Sequence, residues 1–425
     1  MKKAVVAAVI CLFALSVSFS LSLKNAEEVH PFDSIPMLES YYDESDDGNA
    51  SFWEGCEVSL LTISDGKPLY SWFGHSAILV TTPDGRSYTF DYGTFSFNDE
   101  DFFVNFALGR LWFLCVCTNA RYQLQEIEEE GRTATKVVLP LTAAQKKAVI
   151  GFLNTNSEAD NRIYLYHHYE DNCATRLRDI IDRTTGGAFK TWAQGISGYT
   201  YREQASRALS RNPIVLWALD FLQSGRIDRD ATLWDEMFLP EVLEKAVVEY
   251  FGLEKETVSE NPGHRSGTAE KPQNNILFSI IMGILLGGVA SVLVILGKRK
   301  ANYIYSGVVD LVFGILGSVL FFMMIFTNHD VTWLNENIIF VNPLLVAIAV
   351  FSFLAAGRAK NSEEWGKLAA LCHMLFLTLI ALLAVFKVIA PKVFLQQNWN
   401  IIIPAALFYL PNAFAFKLDR TNKDK

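Results

Sequence analysis

Beyond residue 275 the chain is dominated by apolar stretches, at about 276–297, 307–326, 338–356, 368–390 and 400–416, and these constrain the fold more than any other feature. A helix rises 1.5 Å per residue, so about 20 apolar residues cross the ~30 Å hydrocarbon core of a bilayer. No water is available there to satisfy backbone polar groups, which leaves helices as the form for such runs. The third and fifth stretches contain Pro343 and Pro404, which membrane helices tolerate. An all-α membrane domain of about five helices over residues 276–417 is expected. Lys298, Arg299, Lys300, Arg358, Lys360, Lys367, Lys417, Arg420, Lys423 and Lys425 fall on one side of it, and Lys387 and Lys392 on or near the other. The excess of positive charge places the tail, residues 418–425, in the cytoplasm and everything ahead of the first span outside.

The amino terminus gives the same orientation. Met1-Lys2-Lys3 and the apolar run that follows to about Leu21 read as an export signal, cleaved or kept as an anchor. Residues 22–51 are polar, acidic and turn-rich and form a flexible lead-in. Residues 52–252 have the composition of an ordinary globular domain, and residues 253–275, rich in Glu, Lys, Ser, Asn, Pro and Gly, read as a linker. The net charge of −9 argues against nucleic acid as a partner.

Within the globular domain, Cys56–Ile63, Trp72–Thr81, Ser87–Tyr92, Arg110–Thr118, Thr133–Leu139 and Ile163–Tyr169 read as strands, with Pro83-Asp84-Gly85 as a hairpin turn. Thr142 and Gln145 form a capping box for a helix ending near Asn154, and the segments near 201–224 and 233–251 look helical. The plan is α+β: a hairpin-rich sheet with a helix packed against it.

Six cysteines, at 11, 56, 115, 117, 173 and 372, show no CxxC or Cys/His spacing of a zinc site. One of Cys115 and Cys117 is within conceivable reach of Cys56 for a disulfide. Cys173 differs from the others. It follows Asp171-Asn172, either of which can cap a helix whose apolar face holds Ala174, Leu177, Ile180 and Ile181. The N–H groups and dipole of a first helical turn favour a thiolate and can later hold an oxyanion. The competing reading is a buried structural thiol.

A thiol nucleophile needs a base within hydrogen-bond reach. Of the seven histidines, His30 lies in the lead-in, His264 in the linker, His373 in an apolar run and His329 between two such runs. His167 and His168 precede Cys173 on one strand. His75 sits in Trp72-Phe73-Gly74-His75-Ser76-Ala77-Ile78, where Gly74 permits close backbone approach. Each of these three is equally readable as a core or surface histidine.

Gly74-His75-Ser76 on one strand, Asp91-Tyr92-Gly93 on the next and Asp171-Asn172-Cys173 opening a helix resemble the permuted papain-like superfamily, which includes the NlpC-related hydrolases and relatives of lecithin:retinol acyltransferase. His75 precedes Cys173, the order of the permuted branch. The pieces Trp72–Ile78, Phe90–Phe97 and Asp171–Arg178 are together similar to the bacterial Lnb family, in which an extracytoplasmic domain precedes a small membrane domain. The resemblance implies a lipoprotein N-acyltransferase: Cys173 as nucleophile, His75 as base, Asp91 as the residue that orients it, a phospholipid as acyl donor, and the amino-terminal amine of a lipoprotein as acceptor. It implies no cofactor and no metal. The polar segment from Asn328 to Asn342 resembles that family's His-to-Asn-x-Asn loop, so His329, Asn335, Asn337 and Asn342 are expected to contact substrate; ordinary turn-forming roles are the alternative. Two other functions use the same residues differently: a membrane-anchored cysteine peptidase or amidase of the cell envelope, and a non-catalytic anchored scaffold.

Overall fold

The structure is a computed structural model that describes residues 50–96, 101–264, 266–357 and 361–421. The expected leader, nearly all of the lead-in, Arg358, Lys360 and the last residues of the tail lie outside the described residues. The described residues form two compact units, one of residues 50–211 and 230–272 and one of residues 212–229 and 273–421.

The first unit is built on an antiparallel sheet. Helix α1 (Ala50–Gly55) leads into β1 (Glu57–Ile63), β2 (His75–Thr81) and β3 (Ser87–Thr94). Then come α2 (Phe102–Leu108), β4 (Trp112–Asn119), α3 (Ala120–Glu129), β5 (Ala134–Val138), α4 (Ala143–Ser157), β6 (Ile163–Leu165), α5 (Cys173–Thr184) and α6 (Ala188–Gln194). The seven strands run β6-β4-β3-β2-β1-β5-β9, where β9 is Glu256–Ser259. On β1 and β2 nearly every residue is buried, so helices cover both faces of the sheet. Leu61, Ile63, Ala77 and Leu79 form a core with Ala120 and Ile127 of α3, while α5 packs on β2 and β3. Helix α4 has the expected capping box, Thr142 with Gln145.

Three expectations change. Helix α3 is not among the expected elements, although Ala120, Leu124 and Ile127 recur at helical spacing behind the Asn119 cap. The strand expected to run to Tyr169 stops at Leu165, and only a single His167–Asp171 bridge continues it. The expected linker is tied down: β9 adds an edge strand beside β5, and buried Asp65 accepts from the Gly267 N–H at 2.9 Å and from Arg211 Nη2 at 2.6 Å. After α6, a two-stranded sheet pairs β7 (Ser197–Gly198) with β8 (Ala231–Thr232). Helix α7 (Tyr201–Leu209) precedes the excursion of residues 212–229 into the other unit. That excursion carries α8 (Pro213–Leu222); α9 (Leu233–Glu236) and α10 (Pro240–Phe251) follow it in the first unit.

The second unit is helical. Its long members are α11 (Ile276–Ile295), α12 (Arg299–Phe326), α13 (Leu344–Ala356), α14 (Ser362–Ile389) and α15 (Trp399–Thr421). Among the described residues four helical segments are long and apolar enough to cross a membrane, and the apolar part of α15 is shorter. Pro343 stands at the start of α13 rather than inside it, whereas Pro404 and Pro411 lie within α15. Gly283 and Gly287 on α11 let α15 approach closely, since a Cβ on Gly287 would lie 2.1 Å from the Leu407 carbonyl oxygen.

Candidate active site

The geometry begins with strand register. Residues two apart on a strand share a face, and β3 sets Asp91 opposite Ala77, so Asp91 is the diagonal neighbour of His75. The imidazole Nε2 lies 2.7 Å from Asp91 Oδ1. The other carboxylate oxygen accepts from Gln123 Nε2 at 2.6 Å. Gln123, supplied by α3, is the member of the site that the sequence reading did not name.

The thiol arrives from the other side of Gly93. This glycine has φ of 109° and sits at the irregular step between β3 and β4. A Cβ placed on it would lie 3.7 Å from His75 Cε1 and 3.9 Å from Cys173 Cβ. A side chain at 93 would therefore touch both His75 and Cys173, in a backbone conformation that favours glycine. Gly74, with φ of 77°, makes the close approach expected of it: its Cβ would be 3.0 Å from the Ile63 carbonyl oxygen.

Cys173 is the first residue of α5 and is buried, 8% exposed. Asn172 is the cap. Its Oδ1 accepts from the Ala174 and Thr175 N–H groups at 2.9 Å each, and its Nδ2 donates to the carbonyls of His168 and Phe238. The Cys173 N–H precedes both capped amides and stays outside the cap. Asp171 instead forms a two-pronged ion pair with Arg176, which lies 3.8 Å from the centroid of the Tyr164 ring. The turn that presents the thiol is thus held on both sides.

Burial alone would lower the His75 pKa. The charge of Asp91 and then that of Cys173, with the hydrogen bond to Asp91, outweigh it and hold the imidazole well above the usual histidine value. With Nε2 turned to Asp91, Nδ1 is the nitrogen left for the thiol. The arrangement can pair a thiolate with an imidazolium, and the N–H at the helix start can receive negative charge on an acyl oxygen.

The other titratable candidates are placed elsewhere. His168 is enclosed by Phe73, Tyr169 and Phe238, at centroid distances of 4.5, 4.8 and 5.6 Å, and burial followed by the charge of His167 lowers its pKa to about 4. His167 Nδ1 accepts from the Glu170 N–H at 3.0 Å. His264 lies beside Asp65, and His373 pairs with Asp310 between membrane helices. Cys56, Cys115, Cys117, Cys173 and Cys372 are all free thiols. The disulfide considered for Cys56 is excluded by sheet order, because two strands separate β1 from β4 and adjacent strands are about 4.8 Å apart. Burial pushes the Cys115 thiol up to about 12.

The polar loop is held by its own hydrogen bonds. Asn335 and Asn337 are 1% and 0% exposed. Their side-chain amides donate to the carbonyls of Phe221 and Leu222 at the end of α8, at 2.9–3.0 Å. Asn335 Oδ1 accepts from Gln396 and Asn337 Oδ1 from Asn398. Asn342 bridges the Ile338 carbonyl and the Leu344 N–H. His329 precedes a short turn at Asp330–Thr332. The three asparagines hydrogen-bond backbone groups and the side chains of Gln396 and Asn398.

Comparison with known proteins agrees with this architecture. Residues 52–207 match the Lnb N-terminal periplasmic domain, and residues 273–395 match the Lnb transmembrane domain. No curated protein and no solved structure matches the chain. With one Lnb domain over the strands that carry His75 and Asp91 and the helix that opens with Cys173, and the other over the apolar helices, the chain belongs to the Lnb family as a membrane protein with a periplasmic amino-terminal domain.

Proposed function

We propose that the protein is a lipoprotein N-acyltransferase that works through a thioester on Cys173. His75 Nδ1 takes the thiol proton, and the thiolate attacks an ester carbonyl of a phospholipid. The tetrahedral oxyanion is held by the Cys173 N–H at the start of α5. On collapse the alkoxide of the lysophospholipid leaves with the proton from His75, and the acyl group stays on sulfur. The α-amino group of a lipoprotein's amino-terminal cysteine then attacks the thioester. Its proton passes to His75 and on to the departing thiolate, leaving an amide and the free thiol. Asp91 keeps the imidazole in the tautomer that presents Nδ1, and Gln123 fixes Asp91. The protein is placed in the inner membrane with its carboxyl terminus in the cytoplasm.

The observation that supports this reading most is the juxtaposition of Cys173, His75 and Asp91 in a periplasmic domain whose family also carries a membrane domain. Donor and acceptor are both lipids, and each CH2 drawn from the bilayer costs about 0.8 kcal/mol, so an enzyme joined to helices spares them that transfer. The test is mass spectrometry of lipoprotein amino termini from cells with the protein, without it, and with Cys173→Ala. N-acylated termini should appear only with the intact protein. Equal N-acylation in the Cys173→Ala cells would sink the mechanism.

A further inference from the structure

The helix that opens with Cys173 carries a buried ion pair in its first turn. Arg176 stands three residues after Cys173, on the same face of α5. Helical side chains lean toward the amino terminus, so its guanidinium returns past Cys173 to the residue before the cap. There Nε and Nη2 meet the two Asp171 carboxylate oxygens at 2.6 and 2.8 Å. The backbone of Asp171 is fixed as well, by a reciprocal pair of hydrogen bonds with His167 at 2.9 and 3.0 Å. Arg176 is 4% and Asp171 8% exposed.

The guanidinium lies over two aromatic faces, 3.8 Å from the Tyr164 centroid and 5.4 Å from that of Tyr92. Tyr92 follows Asp91 on β3, and successive strand residues point to opposite faces. One strand therefore holds the base through Asp91 and the nucleophile's turn through Tyr92. Besides His75 and Asp91, the titratable side chains about the turn include Tyr92, Cys115, Tyr164, Tyr166 and His168. Burial raises the first four above their ordinary values, Cys115 to about 12, and lowers His168 to about 4. All five are neutral near pH 7. His167 Nδ1 accepts the Glu170 N–H, and Glu170 itself is exposed, so Asp171 and Arg176 are the buried charges of the turn. At Tyr92 and at Tyr164 these two charges act in opposite directions.

We propose that Asp171 and Arg176 form a neutral clamp that positions the Cys173 thiol and withholds the guanidinium charge from it, so that ionisation of the thiol answers to His75. The inference rests on Cys173 being the nucleophile and adds two positioning residues to that site. A guanidinium does not discharge, and a cation within about 4–6 Å favours a thiolate whether or not the imidazole is placed to take the proton. With Asp171 in the fork, the cation steadies the turn without that effect. The thiol is held, and its proton has one destination. Asparagine at 171 would keep a hydrogen bond to the fork and lose the compensating charge.

The experiment uses the full-length protein in micelles. Alkylation of Cys173 by iodoacetamide is followed across pH by peptide mass spectrometry, which separates it from the other thiols, and acylation by nitrophenyl butyrate is measured per folded molecule. Asp171→Asn leaves the cation uncompensated, so the alkylation profile should move to lower pH by about one pH unit. Arg176→Gln leaves a carboxylate, which should move the profile to higher pH, or not at all where Asp171 takes up a proton. The double exchange of Asp171→Asn with Arg176→Gln leaves no buried charge. Its profile should coincide with that of the unaltered protein while acylation slows about tenfold, because a neutral pair holds the turn less firmly. A merely structural pair would displace both single variants in one direction, and that result overturns the clamp. So does a profile that stays or rises with Asp171→Asn. A displaced profile or an undiminished acylation rate in the double variant also overturns it, and decides alone where a single exchange does not fold. If alkylation of Cys173 is the same after His75→Ala, the nucleophile reading itself fails. If His75→Ala changes it and the charge variants do not, only the clamp fails.

Discussion

Asp91 offers one carboxylate oxygen to His75 and the other to Gln123, so the charge beside the imidazole cannot turn away. The folded-state pKa of His75 is raised, so its stabilising contribution is fully present below the ordinary histidine value of about 6.5 and is lost as pH rises through the folded value. Asp91→Asn removes the largest influence that raises the pKa. The basic limb of the pH–rate profile for Cys173 acylation should move to lower pH, and the His75 ring resonance should titrate with it; an unmoved limb would show that Asp91 does not set the proton affinity. His75→Ala should cost roughly 10²–10⁴ in acylation rate. His168→Ala should lower stability, on the order of 2–4 kcal/mol as for other truncations of buried rings, and leave the rate per folded molecule unchanged. Thermal unfolding beside single-turnover acylation separates the two histidines. The Asn172–Cys173 helix start was legible because a cap is local chemistry, whereas His75 and Asp91 were singled out only by the resemblance of their motifs to a known family. Gln123 was not, because its contact with Asp91 exists only once α3 folds back over the sheet.

Helix α8 shows why some elements escape a reading of the sequence. Ten residues are too few to cross a bilayer, so Pro213–Leu222 reads as part of a longer helical segment of the globular domain. In the structure it belongs to the membrane unit, where Phe221 joins the core with Val309, Phe313 and Phe408. Its last carbonyls have no partners within the helix, and Asn335 and Asn337 supply them. The same residues in an isolated loop suggest a polar contact with substrate, because the sequence does not reveal which carbonyls they meet. Strand β9 escaped for another reason: Glu256–Ser259 joins the sheet through backbone pairing and has no apolar alternation to read. Asn335→Ala should leave the Leu222 carbonyl without its donor, and Asn337→Ala the buried Asn398 amide without its acceptor, at about 1–3 kcal/mol each. Unfolding of the detergent-solubilised protein should shift to lower temperature while acylation per folded molecule holds. Lost acylation at unchanged stability would return these residues to substrate binding.

At the scale of the whole molecule, the chain passes between its two units at residues 211–212, 229–230 and 272–273. The apolar runs announced the last of these passages, and nothing in composition announced the first two. Residues 212–229 are held in the membrane unit by more than chain connectivity. Leu216 and Phe221 are 3% and 2% exposed, and burying such side chains is worth about 1.5–3 kcal/mol each. Trp217 Nε1 donates to the Asn400 carbonyl, Asn400 Nδ2 to Asp220, and Gln396 Nε2 to the Gln223 carbonyl. Arg226 pairs with Asp330 at 2.7 Å, and Asn275 Nδ2 donates to the Pro213 carbonyl. The periplasmic domain should therefore stay attached when the chain is cut at its last passage. A protease site inserted between Pro272 and Gln273, cleaved in intact membranes, should leave the amino-terminal fragment in the pellet after a high-salt wash. Combining the cut with Trp217→Asp and Phe221→Asp should release it, because those carboxylates cannot remain buried without partners. Release of the fragment with α8 unaltered would mean that residues 273–425 alone carry the membrane attachment, and a domain truncated near Gly252 would then be a fair soluble version of the enzyme. Retention means that such a truncation exposes Leu216, Trp217 and Phe221 to water, so its inactivity would report a damaged fold as well as a missing bilayer.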